Sequence, residues 1–324
     1  MSSERDELAY DFIRLTTKPS AQLSYSFTAS TASETASPSL IVFVNGLGLP
    51  QLAWAPTIAT LQAISPDGLP AILTYDRFGQ GQTVDRDPDD KGAVDPSHAH
   101  DCMSAVGDLH QLITQIATEK LGMDGSDKMK LILVGNSIGC ALIRLFAQEH
   151  PNTVAGVLFL DSTLTDSDFV SLFPDPDEPD FDKTALPPGT TPEHLRIARE
   201  QIGKLFHPNV GNKEGLSRRN LTQLLPRADA PSLRGPDGSG PFVTVLGHDF
   251  VTFAENNERS LGIPVAVIQA YVNPYWHHYN EGLAQLTQSD RSQGPFQVPG
   301  AGHFIQADNP EYVAEKLHGL LRMV

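Results

Sequence analysis

Five continuous apolar runs, rich in β-branched residues, dominate the hydrophobic pattern of this chain. Runs of this length and composition are typical of strands that are buried on both faces of a parallel sheet. They predict strands at residues 40–44, 71–75, 131–134, 154–160 and 242–246. A shorter run of alternating polar and apolar residues at 22–27 predicts an antiparallel edge strand, and a Ser/Thr/Ala-rich loop follows at 28–39.

Helical periodicity fills the intervals between several of these runs. Residues 101–119 carry apolar side chains at a spacing of about 3.6 residues. Residues 138–149 predict a second helix, which follows the third apolar run directly and ends before Pro151. Because strands and helices alternate, we expect an α/β fold with a mostly parallel, doubly wound sheet.

The alternation stops between Asp161 and Gly240, in a stretch that is rich in proline. Two helical patterns lie inside it, at 192–206 and 212–225. The stretch is too long for a simple loop. We therefore expect a helical cap at 162–240, inserted after the sixth strand into a core formed by 1–161 and 241–324.

Charge and composition narrow the class of protein. Lys and Arg number 23 against 39 Asp and Glu, so the formal net charge is −16. This balance argues against binding to nucleic acid or to anionic membranes. The polar start MSSERDELAY lacks the apolar core of a signal peptide, and no apolar run approaches about 18 residues. We therefore expect a cytoplasmic protein that acts on a small molecule.

The segment 131–140, LILVGNSIGC, carries the strongest chemical signal. A buried-type strand leads into a Gly-x-Ser-x-Gly pattern around Ser137, and a helical pattern follows. The flanking glycines leave room for a sharp strand-to-helix turn that exposes the serine hydroxyl. Backbone N–H groups at the start of the helix favour negative charge near Ser137. The pattern therefore predicts a serine nucleophile.

Three further motifs accompany GNSIG: NGLG at 45–48, YDRFGQG at 75–81 and PGAGHF at 299–304. In this order the four motifs resemble the α/β-hydrolase superfamily across nearly the whole chain. The C-terminal part, with GHFIQADNPEYV at 302–313, resembles small-molecule esterases and lactonases with an inserted cap. It is also similar to fungal toxin- and polyketide-pathway hydrolases. Asn45 and Asn136 stand where the superfamily often has histidine.

The resemblance implies a role for several residues. Ser137 would attack an acyl carbon, and His303 would take the serine proton and return it to the leaving group. The backbone N–H groups of Leu47 and Ile138 would stabilise the oxyanion. We expect four residues to lie beside the substrate: Asn45, Gly46, Asn136 and Trp276.

Two residues are candidates for the acid that orients His303. Asp161 ends the predicted strand 154–160, and Asp249 ends the strand 242–246, which is the commoner position in the superfamily. Either Asp could instead cap a following helix. We favour Asp161, because the chain between Asp249 and His303 has an irregular pattern.

The leading functional hypothesis is hydrolysis of a carboxylic ester or lactone of a bulky apolar molecule through an acyl-enzyme, with no cofactor and no metal. Carbon–carbon bond hydrolysis would use the same residues, as would a cyclase or acyltransferase. The alternative from another functional class is a protein of the same fold that binds a ligand without catalysing a reaction.

Overall fold

The computed structural model describes residues 8–32, 38–123 and 129–324. Residues 1–7 of the polar N-terminus and residues 33–37 of the predicted 28–39 loop lie outside these ranges. In chain order the strands of the described residues are β1 (Asp11–Ile13), β2 (Leu23–Thr28), β3 (Ser39–Val44), β4 (Ala71–Tyr75), β5 (His100–Asp101), β6 (Lys130–Asn136), β7 (Val154–Leu160), β8 (Leu216–Ser217), β9 (Phe242–Gly247) and β10 (Ser292–Gln297).

The helices surround these strands and account for most of the remaining regular structure. They are α1 (Ala55–Ala63), α2 (Cys102–Leu121), α3 (Ile138–Glu149), α4 (Pro192–Leu205), α5 (Leu221–Leu224), α6 (Phe250–Leu261), α7 (Val265–Val267), a π-helical turn (Ile268–Val272), α8 (Asn273–Ala284), α9 (Ile305–Asp308) and α10 (Pro310–Leu321). Short 3₁₀ turns lie at Gln51–Trp54, Pro88–Asp90, Pro96–His98, Lys183–Ala185 and Ser289–Arg291.

The main sheet has eight strands in the order β1-β2-β4-β3-β6-β7-β9-β10. Its strands from β4 to β10 run parallel, which confirms the predicted fold class. The five predicted buried strands correspond to β3, β4, β6, β7 and β9. β2 is antiparallel, as predicted, but β1 pairs with its outer side and forms the edge. β7 is the sixth strand of this sheet in chain order.

Two apolar cores lie on opposite faces of the sheet, because successive side chains of a strand point to opposite sides. In β3, Leu40 and Val42 belong to the core that contains the apolar residues of α2 and α3. Ile41 and Phe43 belong to the core on the other face, with residues of α1 and α10. The sheet is therefore covered by helices on both faces, as the alternating pattern predicted.

The segment between β7 and β9 contains α4, β8 and α5. α4 confirms the helix predicted at 192–206, with Pro192 in its first turn and Thr191 as its N-cap. The helix predicted at 212–225 is wrong, since this stretch contains only the two-residue β8 and the four-residue α5. Gly215 has a φ of +81° that a helix does not allow, and the Asn212 side chain bonds the backbone of Leu216 instead.

Among the described residues, no helix combines the length and the apolar character that crossing a bilayer requires. α2, with 20 residues, buries one apolar face against the sheet and exposes polar residues on the other.

Helix α3 crosses the end of β3 at very short range through Gly139. A Cβ atom at Gly139 would lie 2.2 Å from the carbonyl oxygen of Val44 and 3.0 Å from that of Asn45. Both contacts are with backbone, which cannot rotate away as a flexible side chain can. The second glycine of the Gly-x-Ser-x-Gly pattern is therefore required by the packing of helix against sheet.

We predict that Gly139→Ala lowers the free energy of unfolding by about 3 kcal/mol, because the new methyl group overpacks this crossing. The matched control is Gly319→Ala in α10, where an added Cβ meets nothing within 4 Å. That change should leave stability unchanged or raise it by about 1 kcal/mol. Urea unfolding measures both, and equal stabilities for the two variants would contradict the close approach.

Candidate active site

Ser137 occupies the turn between β6 and α3 in a strained backbone conformation. Its φ is 56° and its ψ is −121°, a region that residues with a side chain rarely adopt. Gly135 makes the turn possible, because a Cβ there would lie 2.7 Å from the backbone of Gly139. The conformation lifts the Ser137 hydroxyl above the carboxyl ends of the parallel strands.

A chain of two hydrogen bonds joins Ser137, His303 and Asp161. The Nε2 atom of His303 lies 3.0 Å from the Oγ of Ser137, and its Nδ1 atom lies 2.6 Å from Oδ2 of Asp161. An ionised carboxylate only accepts hydrogen bonds, so Nδ1–H donates to Asp161 and Nε2 is left to accept the serine proton. Ser137 follows β6, Asp161 follows β7, and His303 lies in the loop after β10.

The Asp161 carboxylate is completely buried and remains ionised. Burial raises its pKa, but His248 and then His303 act against this and lower the pKa to about 2. His248 contacts the second carboxylate oxygen, at 2.8 Å from its Nδ1 atom. Asp161 is therefore a fixed negative charge at the ordinary pH of a cell.

Asp249, the other candidate acid, makes no hydrogen bond to His303, whose Nδ1 atom contacts Asp161 instead. Its side chain caps α6 by accepting from the N–H groups of Val251 and Thr252. The chain between Asp249 and His303 is not irregular, contrary to our expectation, since it forms α6 to α8 and β10. Asp249 is the N-cap of α6, a helix whose outer face is strongly polar. The sequence of such a helix resembles that of a loop when its N-cap residue is not recognised.

The backbone N–H groups of Leu47 and Ile138 are the donors that the family resemblance implies for an oxyanion. Ile138 is the first residue of α3, and Leu47 belongs to the cavity that contains Ser137 and His303. Within the described ranges, no backbone or side-chain oxygen accepts a hydrogen bond from either N–H. Both donors are therefore free for a substrate oxygen.

A buried ion pair between Arg77 and Glu214 holds the loop that contains Leu47. Arg77 donates from Nη1 and Nη2 to the carbonyl oxygens of Asn45 and Gly46, at 2.8 and 3.0 Å. Its Nε atom lies 2.8 Å from Glu214, which also accepts from the N–H of Gly48. Burial lowers the pKa of Arg77, but the Glu214 carboxylate outweighs this and raises it. The backbone is thereby held on both sides of Leu47, through two carbonyls before it and the N–H of Gly48 after it.

An apolar cavity of about 440 Å³ opens above Ser137 and His303. One wall comes from the segment between β7 and β9, and the opposite wall comes from α6, the π-helical turn and α8. Trp276 of α8 belongs to this second wall, with its ring 5.6 Å from that of His303. The aromatic residues that line the cavity are Phe169, Phe173, Phe206, Phe253, Trp276 and Phe304.

The other three residues expected beside the substrate do not belong to the lining of the cavity. Asn45 is buried, donates to the carbonyl oxygen of Tyr75 and accepts from the indole N–H of Trp54. Gly46 accepts from Arg77 through its carbonyl. Asn136 donates to the carbonyl oxygen of His303 at 3.1 Å and so links the end of β6 to the histidine loop. Their contacts position the site, whereas Trp276 faces the cavity.

A second charged cluster lies away from this cavity, at Asp87, Asp90 and His100. Their ligand-type atoms lie within 4.8 Å of one another, which is compatible with metal ligation. The Lys18 ammonium group lies 2.6 Å from Asp87, and His100 donates to Asp90 at 2.8 Å. Lysine and histidine side chains therefore already contact these carboxylates.

The sequence model of the alpha/beta hydrolase family matches residues 41–316. This range covers most of the chain and includes all four motifs, so the chain belongs to the α/β hydrolase family. None of the curated proteins matches the sequence.

Solved structures with a similar fold come from proteins of several activities. A haloalkane dehalogenase loop variant from Bradyrhizobium elkanii is 15% identical, with a TM-score of 0.55 over 98% of this chain and 97% of that one. A protein classed as a lipase from Acinetobacter baumannii is also 15% identical, with a TM-score of 0.53 over 98% and 92%. A variant enzyme that ring-cleaves the Pseudomonas quinolone signal is 13% identical, with a TM-score of 0.54 over 98% and 100%. At these identities the likeness concerns the fold alone.

Sequence reasoning missed His248 and Glu214. His248 directly precedes Asp249, at the strand end where an acid was sought, and this neighbourhood was the available signal. Glu214 lies in the segment between β7 and β9, far along the chain from the loop that it holds, and no local pattern indicates its partner. Arg77 belonged to the YDRFGQG motif, but its contacts did not follow from the motif.

We predict that Glu214→Gln slows the reaction of Ser137 with an acylating or phosphonylating reagent about tenfold. The change leaves Arg77 without its counter-charge and loosens the loop that carries the N–H of Leu47. Glu193→Gln is the matched control, because Glu193 pairs with Arg196 on the exposed face of α4. Its reaction rate should equal that of the wild type. A Glu214→Gln protein that unfolds more easily but reacts at the wild-type rate would limit the ion pair to a role in stability.

Proposed function

We propose that this α/β hydrolase is a serine hydrolase that cleaves a carboxylic ester or lactone of a bulky apolar small molecule through an acyl-enzyme. The observation that carries the proposal is the hydrogen-bonded chain from buried Asp161 through His303 to Ser137, at the base of an apolar cavity. Each member of the chain has the residue type and geometry that acyl transfer requires.

In the proposed mechanism, Ser137 Oγ attacks the acyl carbon while His303 Nε2 takes its proton. The oxygen of the tetrahedral intermediate accepts hydrogen bonds from the N–H groups of Leu47 and Ile138. His303 then gives the proton to the leaving alcohol oxygen, and the carbon–oxygen bond breaks. A water molecule, deprotonated by His303, repeats the sequence on the acyl-enzyme and releases the acid. Asp161 holds the ring and stabilises the imidazolium that forms twice.

The cavity supports an apolar substrate of considerable size. Its volume of about 440 Å³ falls within the range of small-molecule sites, and six aromatic side chains contribute to its lining. Residues of the segment between β7 and β9, among them Phe169, Phe173 and Phe206, form one wall. We therefore propose that 162–240 acts as the cap over a core of 1–161 and 241–324.

A serine nucleophile favours ester chemistry over the other reactions known for this fold. Dehalogenases and epoxide hydrolases that resemble this chain carry aspartate as the nucleophile, where this chain has Ser137. Carbon–carbon hydrolysis or acyl transfer to an alcohol or amine would pass through the same residues. Product analysis distinguishes them. Acyl transfer gives a new ester or amide and no labelled acid in ¹⁸O-labelled water, whereas both hydrolyses give an ¹⁸O-labelled acid and differ in the second product, which is an alcohol from an ester and a compound with a new C–H bond from carbon–carbon cleavage.

Reaction with a fluorophosphonate tests the proposal directly. Wild-type protein should gain one phosphonyl group at Ser137, whereas Ser137→Ala should gain none, and His303→Ala should react at least about 10³-fold more slowly. Ser260→Ala is the matched control, since Ser260 lines the same cavity but its hydroxyl bonds the carbonyl of Asn256. Intact-mass spectrometry and peptide mapping measure the modification.

Folded wild-type protein that does not react, and that hydrolyses no short or long p-nitrophenyl ester, would overturn the proposal. The ligand-binding alternative would then take its place. Modification at a serine other than Ser137 would also overturn the proposal.

A further inference from the structure

Asp161 is shared between two histidines, of which only His303 contacts Ser137. The second, His248, directly follows β9 and is 1% exposed. Its Nδ1 atom lies 2.8 Å from Oδ1 of Asp161, and its backbone N–H donates to the same oxygen at 3.2 Å. His303 contacts the other oxygen, Oδ2. The two imidazole rings therefore face the two oxygens of one buried carboxylate.

The remaining ring nitrogen of His248 also faces an acceptor. Its Nε2 atom lies 3.3 Å from Oδ1 of Asn273, which is buried. The orientation of the Asn273 amide is set by its own nitrogen, which donates to the carbonyl oxygen of Phe250 at 3.0 Å. A neutral imidazole has a single N–H, so it can donate to only one of two acceptors. Hydrogen bonds to both Asp161 and Asn273 require the imidazolium form.

Three aromatic side chains pack near the ring of His248. Its ring stacks on Phe253 at 3.9 Å and meets Trp276 edge-on at 5.3 Å, while Phe250 lies at 5.9 Å. A cation is favoured over such ring faces. The titratable groups near the ring are Asp161, His303 across the carboxylate, and His277 behind Phe250. Asp249 is adjacent in sequence but its carboxylate caps α6. Among these titratable groups, Asp161 is therefore the negative one that pairs with His248.

We propose that His248 is a positioning residue that donates from both ring nitrogens, to Asp161 and to Asn273, and as an imidazolium offsets the charge of Asp161 that acts on His303. A positive group on the far oxygen reduces the stabilisation that Asp161 gives to a protonated His303. His303 is thus kept unprotonated, and able to accept the serine proton, at lower pH than beside an unpaired carboxylate. This consequence for catalysis rests on the proposed function, whereas the charge of His248 does not.

The pH profile of Ser137 phosphonylation in His248→Gln tests the consequence. The glutamine amide can still donate to Asp161 but has no charge. We expect the acidic midpoint of the rate profile to move to higher pH by about one unit, with the plateau at high pH largely kept. His277→Gln is the matched control, because His277 packs on Phe250 from the half-exposed face of α8 and does not reach Asp161. Its midpoint should equal that of the wild type.

A merely structural role for His248 gives a different result. The rate would then fall at every pH while the midpoint stays in place, and this outcome would overturn the proposal. A second variant, Asn273→Leu, removes the acceptor at Nε2 and should move the midpoint in the same direction as His248→Gln.

The charge of His248 is measured without any reaction by ¹⁵N NMR of the imidazole nitrogens in the wild type and in Ser137→Ala. Two protonated nitrogens in His248 from pH 6 to pH 9 support the proposal, and one protonated nitrogen refutes it. If the protein fails to react with the fluorophosphonate but His248 shows two protonated nitrogens, the proposed function is wrong and the charge assignment still holds.

Discussion

The Asp161 carboxylate is removed completely from solvent, and three hydrogen bonds from two histidines converge on it. An isolated buried charge is very costly, so such a group persists only where it is paired and hydrogen-bonded. The ends of β7 and β9 and the loop after β10 must therefore keep their places for the carboxylate to remain ionised. The need to pair the Asp161 carboxylate therefore fixes the ring of His303. The position of that ring determines the side from which His303 contacts the hydroxyl of Ser137.

A second buried charge pair connects the catalytic edge of the sheet to the segment between β7 and β9. Arg77 follows β4, Glu214 lies in that segment, and both hold the loop at Asn45 to Gly48. The segment thus contributes a wall of the cavity and also a support for the expected oxyanion donor. The position of this segment and that of the loop with Leu47 are therefore linked by direct contacts.

Much of the sheet followed from the sequence, because strands buried on both faces give long β-branched runs that few other structures share. The turn at Ser137 was also visible, since glycines are required on both sides of it. The helix predicted at 212–225 was wrong because the apolar spacing there competes with Gly215 and with side-chain bonds from Asn212. The placement of Asp161 beside His303, and the presence of His248, depend on strand ends that are far apart in the chain. Local patterns carry no information about such contacts.

The central claim is that Asp161 acts on Ser137 through His303. A double-mutant cycle tests it most directly, with the rate of phosphonylation measured for Asp161→Asn, His303→Ala and the double variant. If the claim is correct, the double variant reacts as slowly as His303→Ala alone, within about threefold, because Asp161 has nothing left to act through. If the losses multiply instead, Asp161 influences the serine by another route and the account is contradicted.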